Sequence, residues 1–156
     1  MRVVSFLADS VVVAEGKMYV QGAGWDTIAT AQLPTRHSRL GIGTLIRVPY
    51  GETNIQHRFE IRVEDPDGKE VSLGEAPPGT PSADKKIHRI GSAFVIGRPP
   101  TVSAGDEQIL PIAANLDGLL FEAAGTYRVV IAIDGEDVES LPFRLTVMAQ
   151  VGPLVR

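Results

Sequence analysis

The sequence predicts an all-β protein, an immunoglobulin-like, Greek-key β-sandwich of about eight or nine mostly antiparallel strands. Three observations carry that expectation. Apolar and polar residues alternate along much of the chain, the period of a strand with one dry and one wet face. Breaks rich in glycine and proline interrupt the alternation at short intervals, as they do between the strands of a sandwich or barrel. No long stretch carries apolar residues at the spacing of a helix face. Residues 57–64 show the rhythm best: Phe59, Ile61 and Val63 fall on one face, and Arg58, Glu60, Arg62 and Glu64 on the other.

Taken in order, the first strand is expected over 3–14, bent at Asp9-Ser10, and Glu15-Gly16 turns it into a second over 17–21. Gly22-Ala23-Gly24 then breaks the ladder, and Trp25 and Ile28 continue an extended segment that ends before Pro34. A third strand over 39–48 sets Leu40, Ile42, Thr44 and Ile46 on one face. Gly41 and Gly43 fall on the other, leaving room for a close neighbour. After a loop over 49–54, residues 56–64 form a strand, Asp65-Pro66-Asp67-Gly68 a type I turn, and 69–73 a returning strand. Residues 74–86, with Pro77, Pro78, Gly79 and Pro81, read as a flexible loop. Strands follow over 87–96 and 108–115, and a hairpin joins 127–133 to 138–147 around Asp134-Gly135. At its entry, Gly125-Thr126-Tyr127 matches a tyrosine corner, whose hydroxyl bonds back to upstream backbone; an ordinary half-buried aromatic is the alternative.

At 156 residues the chain is expected to be one domain, 1–156. A domain of that length buries roughly 68–70% of its unfolded surface, enough for a core without staples. With no cysteine there is no disulfide, thiolate zinc site or cysteine nucleophile. The apolar opening over 1–8 is cut by Asp9-Ser10, short of a secretory leader, and no segment reaches the length of a membrane span. A cytoplasmic protein with no membrane partner is therefore expected. A net charge of -4 argues against nucleic acid as a general partner. The basic clusters 36–39 and 85–89 lie beside proline-containing breaks and read as solvated loop ends, with an anion site as the rival.

Two stretches resemble a known family. The Gly16-Lys17 turn, the short strand through Gln21, the Gly22-Ala23-Gly24 break and Trp25-Asp26 resemble the opening of an uncharacterised family of small bacterial β-sandwich proteins, a domain of unknown function. Residues 125–143, with their Gly-x-Tyr start and Asp-Gly hairpin, are similar to that family's end. The resemblance implies the fold and a bacterial origin. It implies no activity and no site residues.

Motifs for chemistry are sparse. Gly22-x-Gly24 lacks the helix and third glycine of a dinucleotide loop. Asp65-Pro66-Asp67-Gly68 lacks the further ligands of a calcium hand, although Asp106-Glu107, Asp117 and Asp134-Gly135-Glu136-Asp137 offer carboxylates at other turns. His37, His57 and His88 show no metal-ligand spacing. Gly91-Ser92-Ala93 lies in a strand and lacks the geometry of a nucleophile elbow. No enzyme, metal or cofactor is expected.

Trp25, Asp26 and Tyr50 remain as ligand-site candidates, with Tyr19 as a further aromatic for a sugar platform; closing the core is the competing role for Trp25. The apolar tail over 148–156 offers Val151, Leu154 and Val155 as an interface. The expected function is a non-catalytic module that binds another protein or forms a homo-oligomer, through an edge strand or the tail. The alternative is a carbohydrate- or calcium-binding domain, and a histidine-based metal hydrolase is a third class.

Overall fold

A computed structural model describes residues 1–79 and 85–148. The described residues are all-β and mostly antiparallel. Strands β1 (Arg2–Ala8), β5 (Thr35–Pro49) and β10 (Glu107–Phe121) form a three-stranded sheet in the order β1-β5-β10. A five-stranded sheet runs β4 (Thr27–Thr30), β12 (Glu136–Val147), β11 (Gly125–Ile133), β6 (Gln56–Glu64) and β9 (Arg89–Val95). Only its β4–β12 pair is parallel. Outside both sheets lie a hairpin of β2 (Ser10–Ala14) and β3 (Lys17–Gln21), and the two-residue pair β7 (Gly74–Glu75) and β8 (Lys86–Ile87).

The alternation seen in the sequence becomes one shared core. Ile42, Ile46 and Val48 of β5 and Leu119 and Phe121 of β10 are buried with Phe59, Ile61 and Val63 of β6, Val129 and Ile131 of β11, and Phe143 and Leu145 of β12. At one end the rings of Phe121 and Tyr127 meet edge-on at 4.9 Å, while Tyr127 stacks on Phe143 at 5.7 Å. The Tyr127 hydroxyl donates to the Ala123 carbonyl at 2.8 Å, the bond that the corner reading requires. Tyr127→Phe should cost about 1 kcal/mol in urea unfolding, the ordinary net value of such a bond. No loss would mean that the hydroxyl does not pin the connection.

Turn chemistry places the hairpins where the sequence puts them. Glu15 and Gly16 have φ of 52° and 70°, and Asp134 and Gly135 have 53° and 87°. Two successive positive φ values make the tight turn whose twist matches the flanking strands. In the 65–68 turn, the Asp65 side chain accepts from the backbone N–H groups of Asp67 and Lys69, each at 2.9 Å.

The bend at Asp9 divides the expected 3–14 strand into β1 and β2, with the Asp9 N–H donating to the Gln21 and Gly22 carbonyls. The β2–β3 hairpin then covers the bare side of β5. A Cβ on Gly43 would collide with the Phe6 ring and come within 3.1 Å of Met18 Sδ, so the close neighbour expected there is Phe6 with the hairpin. The Asn115 side chain holds the hairpin down, accepting from Val11 N–H at 3.0 Å and donating to its carbonyl at 2.8 Å.

Three expectations need correction. Residues 69–73 do not form a returning strand, because β9 takes the edge of β6 from Gln56 to Arg62. What remains is a bridge between Glu64 and Glu70 and a bond from Val71 N–H to the Val63 carbonyl. The basic cluster 36–39 is strand rather than loop end, because β10 runs on to Phe121 and supplies acceptors. Arg39 reaches Asp117 at 2.6 and 3.0 Å, and Arg36 the Gly118 carbonyl at 3.0 Å. The flexible loop expected over 74–86 is tied at both ends by the β7–β8 pair; residues 80–84 lie outside the described residues.

Candidate functional site

The ligand-site candidates lie in separate regions. Trp25 packs on the core, edge-on to Phe143 at 6.4 Å and to His37 at 6.2 Å. Its Asp26 neighbour is exposed, accepting from Thr27 Oγ1 at 2.9 Å and facing Arg144 at 3.7 Å. Tyr50 opens a short 3-10 turn, η1 (Tyr50–Glu52), beyond the other end of β5. There the Arg98 guanidinium covers its ring at 3.9 Å and donates to its carbonyl at 2.7 Å. Strand geometry puts His37 and Tyr50 about 40 Å apart along β5, so Trp25 and Tyr50 share no site. Tyr19 stands exposed on the β2–β3 hairpin opposite Val12. The three aromatics do not line up as a sugar platform.

The histidines are dispersed as well. His37 lies between Trp25 and Phe121, and burial there lowers its pKa below 6.5. His88 precedes β9, roughly 20 Å along the strand from Phe94, which opposes His57. His57 is the notable one. It is buried at the start of β6, on the same face as Phe59 and Ile61. Its Nδ1 lies 2.7 Å from Asp134 Oδ2 and its Nε2 3.1 Å from the Glu52 carbonyl. Both partners are acceptors, so only the doubly protonated ring satisfies both. Burial opposes that charge, but the bonds to Asp134 and Glu52 outweigh it and hold the pKa above 6.5. The His–Asp pair resembles the base and orienting acid of a hydrolase, yet Nε2 meets a carbonyl rather than a hydroxyl nucleophile. Asp134 also accepts from Arg58 N–H at 2.8 Å. Its imidazole partner and that N–H depress its carboxyl pKa below 3.8, and the assembly pins the Asp134-Gly135 turn to β6.

The other acidic turns are engaged locally. Arg62 holds Asp137 with two bonds of 2.7 Å and Glu64 at 2.8 Å, Arg39 holds Asp117, and Asp106 accepts from Ser103 N–H at 2.7 Å. Among the described residues no group of three His, Asp or Glu side chains is placed to hold a metal ion.

Two surface features remain. A groove of about 580 Å³ opens between the 65–68 turn and the β10–β11 connection, lined among others by Asp65, Glu70, Lys86, His88, Glu122 and Tyr127. The second feature is apolar. On the outer side of the three-stranded sheet, Val4, Leu45 and Pro111 stand in one cross-strand row. Ile109 lies one row away, beside Arg47. Val4 is 57% and Ile109 55% exposed. Arg2 and Arg47 close one side through Glu107, at 2.7 and 3.8 Å. The sequence signal for this patch was the run of consecutive apolar residues in Val3-Val4 and Ile109–Ile112, which gives both faces of a strand apolar character. The tail residues Val151, Leu154 and Val155 lie outside the described residues.

A protein-family model matches residues 3–146. The chain belongs to a family of unknown function (DUF6941). Membership agrees with the resemblance drawn from residues 14–26 and 125–143, and the matched span holds the apolar patch, His57 and β9. No curated protein matches the chain. Among solved structures it is similar to the Pseudomonas fluorescens alkylpurine DNA glycosylase AlkC bound to DNA containing an abasic site analog. The identity is 11% and the TM-score 0.41, over 92% of this chain and 30% of that one. The chain thus spans under a third of that protein, and so distant a likeness carries no argument about nucleic acid or catalysis. No helix among the described residues is long and apolar enough to cross a membrane.

Proposed function

We propose that this family member is a non-catalytic interaction module that binds another protein or a second copy of itself. The observation that carries the reading is the Val4–Leu45–Pro111–Ile109 patch. Exposed apolar side chains with a polar margin mark a contact surface, and here Val4 and Ile109 stand exposed on the rigid ladder of a sheet with Leu45 and Pro111 half-buried between them. The reading includes an immunoglobulin-like arrangement of the two sheets, supported by their common core and the Tyr127–Ala123 bond. It also includes a cytoplasmic setting, which suits a chain without cysteine.

Native mass spectrometry of gently purified protein tests it. The wild type should carry mass beyond one chain, and Val4→Glu combined with Ile109→Glu should remove the part of it held at the patch while leaving the thermal melt nearly unchanged. A bare monomer in the wild type would count against the reading. A second reading, a small-ligand site, draws on the 580 Å³ groove. Thermal stabilisation by calcium or a simple sugar, abolished by Glu122→Gln, would favour it instead.

A further inference from the structure

The free edges of the two main sheets differ in how they are guarded. Edge strands are ordinarily kept from pairing by shortness, proline, charge or cover. β4 has four residues. β10 carries Pro111 and Asp117. β1 runs beside β12 of the other sheet. Among the described residues β9 has none of these protections along most of its length. It pairs with β6 on one side and with no strand on the other among the described residues. Its only charge is Arg89, at its first position and bound to Glu70 at 3.0 Å. Gly91, Ser92 and Ala93 are exposed, while Ile90 and Phe94 reach the core but are only partly covered.

We propose that β9 is a homotypic edge: two copies pair their β9 strands antiparallel about a two-fold axis through Ser92, making one continuous sheet. The inference rests on the reading of the protein as an interaction module and names its self-association surface. A second copy fits because the strand complements itself in this register. Ser92 is the middle of Arg89–Val95, so all seven residues overlap. Ile90 then faces Phe94 of the second copy, extending both half-covered core rows across the junction. Gly91 faces Ala93, and Arg89 faces Val95, so no like charges oppose each other. Main-chain bonding satisfies the N–H and C=O groups that β9 turns away from β6.

The full chain tests this directly, because it has no cysteine. On the axis, opposing Cα atoms of an antiparallel pair lie about 4.5–5.5 Å apart, within disulfide reach. Ser92→Cys should therefore give a covalent dimer on mild oxidation, and Lys17→Cys, on the distant hairpin, should not. Ser92→Lys and Ser92→Glu should each sediment as monomers, and mixing them should restore a dimer, whereas Val4→Glu/Ile109→Glu should leave the β9 dimer intact. Should either charge variant lose its circular dichroism, the Ser92→Cys cross-link decides. A wild-type dimer that survives both charge variants and gives no Ser92 cross-link would overturn the β9 surface and leave the interaction reading standing. A wild type that carries no mass beyond one chain at any concentration overturns both.

Discussion

Phe121→Ala is expected to lower stability by about 3–5 kcal/mol, the usual cost of emptying a fully buried aromatic position. Phe121 has no exposed surface and sits between the Tyr127 ring at 4.9 Å and the Phe143 ring at 5.9 Å. It comes from β10 of the three-stranded sheet, while Tyr127 and Phe143 come from β11 and β12 of the other. Its removal therefore opens the contact between sheets rather than a cavity within one. Small domains have only about 5–15 kcal/mol in total, so the melting midpoint should fall by about 10 °C. Trp25, the single tryptophan, lies 6.4 Å from Phe143 and reports the transition through its fluorescence in urea. A loss below about 1 kcal/mol would show that the two sheets do not depend on this cluster.

Asp134→Asn is expected to cost about 2 kcal/mol near pH 6. That is less than the usual penalty for breaking a buried ion pair, because the Asp134 side chain is half exposed. The effect should depend on pH in a defined direction. His57 has its folded pKa raised above 6.5, so its contribution is fully present below 6.5 and is lost as the pH rises through the folded value. Asp134 has its folded pKa depressed below 3.8, so its contribution is present above 3.8 and is lost as the pH falls through the folded value. The gap between wild type and Asp134→Asn should thus be widest between about pH 4 and 6.5 and shrink on either side. Urea titrations at pH 5, 7 and 9 would show it. A gap that is flat or widens toward pH 9 would mean that His57 is neutral in the folded protein.

Much of the strand map is legible in the chain because its signals are local. Alternation in 57–64 needs only the residues of that strand, and the tight turns need only Glu15-Gly16 and Asp134-Gly135. The missing strand at 69–73 was not legible, since nothing within it says that residues 89–95 will take the edge of β6 first. His57 escaped for the same kind of reason. It keeps the alternation of Phe59, Ile61 and Val63, but its acid comes from a hairpin 77 positions later. Trp25 and Tyr50 looked combinable because sequence carries no distances, whereas β5 holds them at opposite ends.

The sequence by itself determined the all-β class, the principal turns and which side of most strands goes inward, because period and turn chemistry are properties of neighbouring residues. It also carried, in residues 14–26 and 125–143, a resemblance to the family whose model matches residues 3–146. Tertiary structure decided which strands share a sheet, and it paired His57 with Asp134. Among the described residues it also left Val4, Ile109 and the β9 edge uncovered. Those outcomes depend on competition among segments far apart in the chain for the same edges and the same core, and that competition is settled only when the two sheets close on each other.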